Sequence, residues 1–163
     1  MTPFPFKADI NKEVPYDAKL LAAIPHEVKK KSVKDHVKRK EKGLFIDGNP
    51  YISLRFAENF HKIAAKIEYM KTRNGDKVFT ITSVAENEGK STVSANISLA
   101  LARHGYKVAY VDMDLRKPAV HKIFSQLPRE DLKTCLKEGA PASWDTPKRL
   151  HILSCNQPTP APD

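Results

Sequence analysis

The sequence predicts an α/β fold with a mostly parallel sheet, on three observations. An apolar run, Val78-Phe79-Thr80-Ile81-Thr82-Ser83-Val84, leads directly into the loop Ala85-Glu86-Asn87-Glu88-Gly89-Lys90-Ser91-Thr92 and then into a helical pattern. A second apolar run, Val108-Ala109-Tyr110-Val111, ends in Asp112-Met113-Asp114-Leu115-Arg116-Lys117-Pro118. A third, Leu150-His151-Ile152-Leu153-Ser154, reads as one more short strand. A strand, a helix and a second strand in that order make a right-handed unit with parallel strands.

Taken along the chain, each element has a local cause. From Leu54 to about Thr72, Phe56, Phe60, Ile63, Ile67 and Met70 recur at three- and four-residue spacing, which predicts an amphipathic helix. Its other face carries Arg55, Glu58, His61, Lys62, Lys66 and Glu68. Asn74-Gly75 supplies a turn before the first strand. After the loop, Val93, Ile97, Ala100 and Leu101 share one stripe of a helix from Lys90 to about His104, and Gly105 is placed to stop it. Pro118 can open a short helix that turns Val120, Ile123, Phe124 and Leu127 inward, with His121 as surface or packing. A further helix is expected from Glu130 to Glu138, stopped by Gly139-Ala140-Pro141, and the last residues, from Gln157, form a Pro-rich extended tail.

Composition narrows the class. With 163 residues, 40% hydrophobic and 29% charged, the chain has enough apolar mass for about one domain with a core. Cys135 and Cys155 are the only cysteines, so neither a disulfide framework nor a thiolate metal cage is expected; both read as reduced packing residues. No apolar run approaches the roughly 18 to 20 residues of a membrane span. Residues Met1 to Asn11 lack a signal-peptide core, so the expectation is a soluble intracellular chain that does not itself cross a membrane.

The net charge of +9 is concentrated. Lys29-Lys30-Lys31, Lys34, Lys38-Arg39-Lys40 and Lys42 crowd one segment, opposed only by Asp35 and Glu41. Such a block reads first as a solvated linker. Its functional alternatives are attraction to an anionic membrane surface, at about 1 kcal/mol per basic residue, and non-specific nucleic-acid binding. No aromatic residues interleave the block, which argues against nucleic acid.

The loop and the acidic pair carry the chemistry. Between a strand and a helix, the backbone N–H groups of residues 85–92 and the helix N-terminus offer fixed positive dipole to a phosphate. Lys90 can reach the β/γ-phosphates and the Ser91 hydroxyl can ligate Mg²⁺. On an extended segment residues i and i+2 share a face, so Asp112 and Asp114 can converge on one metal-phosphate centre with hard oxygen ligands. A lone Gly-Lys-Ser arises by chance, with the aspartates as solvated loop carboxylates. Two such motifs, each ending an apolar strand and separated by one helix, weigh strongly against that reading.

At these residues the chain resembles a family: the bacterial tyrosine kinases of capsule and exopolysaccharide synthesis, relatives of the MinD and ParA ATPases. Glu88-Gly89-Lys90-Ser91-Thr92 is similar to their Walker A loop, and Asp112 to Pro118 to their Asp-x-Asp-Leu-Arg-basic-Pro motif, Walker A-prime. MinD and ParA proteins place a signature Lys where this chain has Ala85, so the kinase branch fits better. The chain departs from the pattern at Val84, where the general loop has Gly, and at Glu86-Asn87, where the kinases usually have Pro-Gly. Asn tolerates the left-handed region better than other non-Gly residues and can take the turn.

The resemblance implies a three-layer P-loop NTPase with ATP and Mg²⁺ as cofactors. Residues 1–50 would be a juxtamembrane-type basic linker and 51–163 the N-terminal part of a tyrosine-kinase domain. Residues 85–92 and Arg116 would bind the nucleotide, with Lys90, Asp112 and Asp114 catalytic and Ser91, Asp112 and Asp114 serving the metal. Asp112 would orient or deprotonate the acceptor hydroxyl, although the two aspartates can exchange roles, and Arg116 would serve subunit contact or structure. Pro15 to Glu27 is similar to the segment that follows the second transmembrane helix in fused chain-length-determinant kinases. That implies a membrane chain-length determinant or co-polymerase as partner, a place at the inner face of the plasma membrane, and a homo-oligomer. The kinases' oligomerisation pattern, Glu-x2-Arg-x2-Arg, falls here on Glu58, His61 and Ala64 and is mostly lost. The Walker B strand and the tyrosine-rich tail would follow the present end, which leaves the sheet incomplete and one flank of the strand from Val78 to Val84 without its neighbour. Two other readings stay open: a MinD/ParA-like ATPase switch, and a non-catalytic adaptor of a co-polymerase.

Overall fold

A computed structural model describes residues 20–25, 53–86, 88–118, 123–124, 130–139 and 149–155. The amphipathic stripe becomes helix α1 (Leu54–Asn74), whose start is fixed by the Ser53 side chain accepting a hydrogen bond from the Phe56 N–H at 3.2 Å. Gly75, at φ 76°, ends it in the left-handed geometry that a residue with a Cβ resists. Helix α2 (Lys90–Arg103) follows the loop and gives way to Gly105 at φ 94°. Phe60, Ile63, Ala64 and Ile67 of α1 are buried with Ile97 and Ala100 of α2, as the helical spacing requires.

The remaining elements among the described residues are β1 (Val108–Val111), β2 (Glu130–Asp131), α3 (Leu132–Glu138) and β3 (Leu150–Ser154). They form a three-stranded sheet in the order β1-β3-β2, with both pairings parallel. Tyr110 pairs with Ile152 and Val111 with Leu153. Because side chains alternate along a strand, the two registers serve opposite faces. Tyr110, Leu150 and Ile152 pack with Ala95 of α2, and Leu153 packs with Leu132 and Cys135 of α3. The layers are therefore helix, parallel sheet and helix, with α1 lying outside α2.

Two elements differ from the expectation. The run from Val78 to Val84 is not a strand: residues 75–83 are irregular, Val78 is 86% exposed and Val84 is fully exposed at 102%. The physical reason is pairing. The ladder partner of β1 is β3, and among the described residues no strand lies beside 78–84, so its β-branched composition has no ladder to join. Ile81 alone of its apolar residues packs on the α1/α2 core. The helix expected from Glu130 begins instead at Leu132, because Asp131 sits at φ −80°, ψ 132° and accepts from the Lys133 N–H at 2.9 Å as the cap.

Cys135 is half-buried and Cys155 buried, both packed beside Leu132 and Leu153. Ile123 is buried beside Tyr110, as expected of the segment after Pro118, while Val120, His121 and Leu127 fall outside the described residues. So do most of residues 1–50, including the basic block and all but 20–25 of the juxtamembrane-like segment. Among the described residues no helix is long and apolar enough to cross a membrane.

Candidate functional site

The loop owes its shape to Gly89. It sits at φ 88°, ψ 11°, immediately before Lys90 opens α2, and a Cβ built on it would meet nothing within 4 Å. Backbone conformation and not space is what demands glycine there. Gly89→Ala should therefore cost about 1–2 kcal/mol through left-handed strain, read as a lowered thermal midpoint. An unchanged melt would mean that the loop relaxes without cost.

Both loop acids have partners. The Glu88 carboxylate turns back along the chain and accepts from the Val84 and Ala85 N–H groups through one oxygen, at 3.0 and 3.1 Å. The Ser83 hydroxyl donates to the Ala85 carbonyl at 2.9 Å. Glu86 lies 3.8 Å from Lys117 Nζ, with both side chains largely exposed. Such a pair contributes about 0–1 kcal/mol. Its information is positional, since it joins the loop to the segment after β1. Lys90, Ser91 and Thr92 are half-buried in the first turn of α2. Asn87 lies outside the described residues.

At the end of β1, the Asp112 N–H donates to the Leu153 carbonyl at 2.9 Å and continues the ladder, which draws the residue in to 6% exposure. The Asp112 Oδ1 accepts from the Asp114 N–H at 3.0 Å, and the Asp114 Oδ1 accepts from the Lys117 N–H at 2.9 Å. Each carboxylate thus forms a local turn that folds the chain back on itself. Asp112 is buried and Asp114 half-exposed, while Arg116 is exposed. Beneath them Tyr110 is 6% exposed. Burial pushes its hydroxyl above the usual tyrosine range; the Ser94 hydroxyl pulls it back and the Asp112 carboxylate raises it further.

Two contacts bring the motifs together. One is the pair Glu86–Lys117; the other is the approach of the Ser94 hydroxyl on α2 to the Tyr110 hydroxyl on β1, at 3.4 Å, across the packing of α2 on β1. The donors available are hard oxygens from Ser91, Asp112 and Asp114. Among the described residues no group of three or more His, Cys, Asp or Glu side chains is arranged to hold a metal ion. That donor set fits Mg²⁺ bound through phosphate oxygens and one or two carboxylates, which is its usual mode. It does not fit a caged metal. Sequence reasoning did not single out Tyr110, Ser94 or Lys117. The signal for Tyr110 was present, since two residues before Asp112 on a strand is the same face.

Away from the loop, His61 and Ala64 occupy the positions of the two arginines in the kinases' oligomerisation pattern. Ala64 is fully buried in the α1/α2 core. His61 Nδ1 lies 3.0 Å from His104 Nε2, and His104 Nδ1 is hydrogen-bonded to Glu68. Both positions are thus engaged within the chain.

The fold and motifs agree with known proteins. Residues 79–146 match the CobQ/CobB/MinD/ParA nucleotide-binding domain. The tyrosine-protein kinase YwqD of Bacillus subtilis (strain 168) is 41% identical over 68 residues, covering 42% of this chain and 29% of that protein. The CapB protein of Staphylococcus aureus is 32% identical over 119 residues, covering 73% of this chain and 51% of its own. A solved chimeric protein, CapA2B2, superposes with a TM-score of 0.53 at 31% identity, covering 74% of this chain and 54% of that one. The chain therefore spans about half, or less, of the length of these relatives. Over these stretches the chain is similar to the MinD/ParA-type nucleotide-binding domain and to bacterial tyrosine-protein kinases.

Proposed function

We propose that the protein is an ATP-dependent tyrosine autokinase that regulates capsule or exopolysaccharide synthesis, with its Mg-ATP site between residues 85–92 and the turn from Asp112 to Arg116. The observation that carries the reading is the junction of the two motifs, where the Glu86–Lys117 pair and the Ser94–Tyr110 approach mark the loop and its helix as neighbours of the strand that bears the aspartates. In this reading Lys90 and the first-turn N–H groups bind the β/γ-phosphates, and Ser91 and Asp114 hold Mg²⁺, which neutralises phosphate charge. Asp112 orients the acceptor hydroxyl or takes its proton. Phosphoryl transfer asks little else of a protein than such positioning and charge neutralisation.

The partner is a membrane chain-length determinant. The similarity of Pro15 to Glu27 to the segment behind a transmembrane helix supports it, as does the docking of residues 20–25. Ala22 and Ile24 pack on the α1/α2 core, and Lys66 Nζ donates to the Leu21 carbonyl. A segment tethered to a membrane partner would thereby lean on the helix that backs the loop. The basic block beyond it would sit well at an anionic inner membrane face.

The test is phosphotyrosine formation by the longest natural form of the protein, supplied with ATP, Mg²⁺ and its membrane partner. Phosphotyrosine that disappears in Asp114→Asn supports the kinase reading. ATP hydrolysis without phosphotyrosine favours the MinD/ParA-like switch, and no nucleotide binding at all favours the adaptor.

A further inference from the structure

The strand that carries the aspartates and the helix that carries the lysine are joined by a polar contact that packing does not demand. Ser94 lies one turn into α2. Its hydroxyl is 3.1 Å from the Ser91 carbonyl and 3.4 Å from the Tyr110 hydroxyl. A serine hydroxyl has one proton. That proton faces two acceptors, the Ser91 carbonyl at 3.1 Å and the Tyr110 hydroxyl oxygen at 3.4 Å, so Ser94 bridges the first turn of α2 to the end of β1.

The ring itself is fixed by apolar neighbours. Phe124 meets it edge-on, with centroids 5.3 Å apart at 72°, and Ala95 and Ile123 close the pocket. Phenylalanine would satisfy all of these contacts. What it would lack is the hydroxyl, and that hydroxyl ends at the residue whose side chain the nucleotide reading gives to the metal. From the same strand face, two residues on, comes Asp112.

We infer that Tyr110 is a positioning residue: through Ser94 its hydroxyl sets the spacing between the Ser91 turn and Asp112, so that the metal-dependent part of nucleotide binding depends on it. This rests on the nucleotide reading above, and the experiment separates the two. ADP is titrated into the parent chain, Tyr110→Phe, Ser94→Ala and the double variant, once with Mg²⁺ and once with EDTA. The quantity read is the ratio of the two affinities.

Tyr110→Phe should lower that ratio about 3- to 10-fold, the loss of roughly one net hydrogen bond, with the metal-free affinity unchanged. Ser94→Ala should do the same, and the double variant should be no worse than either single one, as expected of groups acting in series. If the variants keep the parent ratio, or lose metal-free and Mg-bound affinity equally, Tyr110 is a packing residue and the inference falls while the nucleotide reading stands. A folded parent that binds neither form overturns the nucleotide reading itself. Should Tyr110→Phe not fold, the ratio measured for Ser94→Ala decides between the same two outcomes.

Discussion

Lys90→Ala should reduce Mg-ATP and Mg-ADP affinity at least tenfold, about 1.4 kcal/mol or more. Lys90 is the only cationic side chain in the loop from Ala85 to Thr92, and Glu86 and Glu88 give that loop a net negative side-chain charge. The geometry reduces this liability without removing it. Glu88 is turned onto the Val84 and Ala85 N–H groups, and Glu86 leans toward Lys117. With Lys90 gone, a polyanion would meet two carboxylates with only backbone dipoles to offset them. A charge-assisted bond to phosphate is about twice as strong as a neutral one. Calorimetric titration of parent and variant, at fixed ionic strength because such contacts are screened by salt, is the direct measurement. Equal affinities would show that the nucleotide does not use this loop.

Much of the site could be read in the sequence because its determinants are local. Lys90 and Ser91 open a helix, and Asp112 and Asp114 follow an apolar strand; each follows from residue type and spacing, and each is found where expected. The left-handed turn residue was expected at Asn87, outside the described residues, and the one found is Gly89. The two failures share one cause. Whether the run from Val78 to Val84 becomes a strand depends on a neighbour to pair with, and whether Glu130 starts a helix depends on its backbone being claimed by β3. Neither is written in the segment itself. The same is true of Tyr110. Its side chain looks like one more apolar residue of a strand until the fold brings Ser94 to its hydroxyl. Long-range pairing was hidden, while caps, turns and helical stripes were not.

Phe60→Ala should be the most damaging single change to stability, at about 3–5 kcal/mol. Phe60 is fully buried in α1, meets Phe56 edge-on with centroids 5.1 Å apart, and shares its cluster with Ile63, Ile67, Ile97 and Ala100. The cost combines lost transfer energy with the cavity left behind, since helices pinned at both ends cannot collapse into it. A domain's whole stability is commonly about 5–15 kcal/mol, so the variant should retain only a part of it. For a chain of this size each kcal/mol corresponds to about 2–4 °C in the thermal midpoint, which predicts a fall of about 6–20 °C. The exposed Leu54, at 76% relative exposure on the same helix, is the control: Leu54→Ala should lie within about 0.5 kcal/mol of the parent. The consequence reaches the site, because α1 is the support against which α2, and with it Lys90 and Ser91, is held. Saturating Mg-ADP should recover part of the lost midpoint by mass action, since only the folded form binds. If Phe60→Ala melts within a few degrees of the parent, α1 is not a structural support of the loop helix and the packing account of the site is wrong.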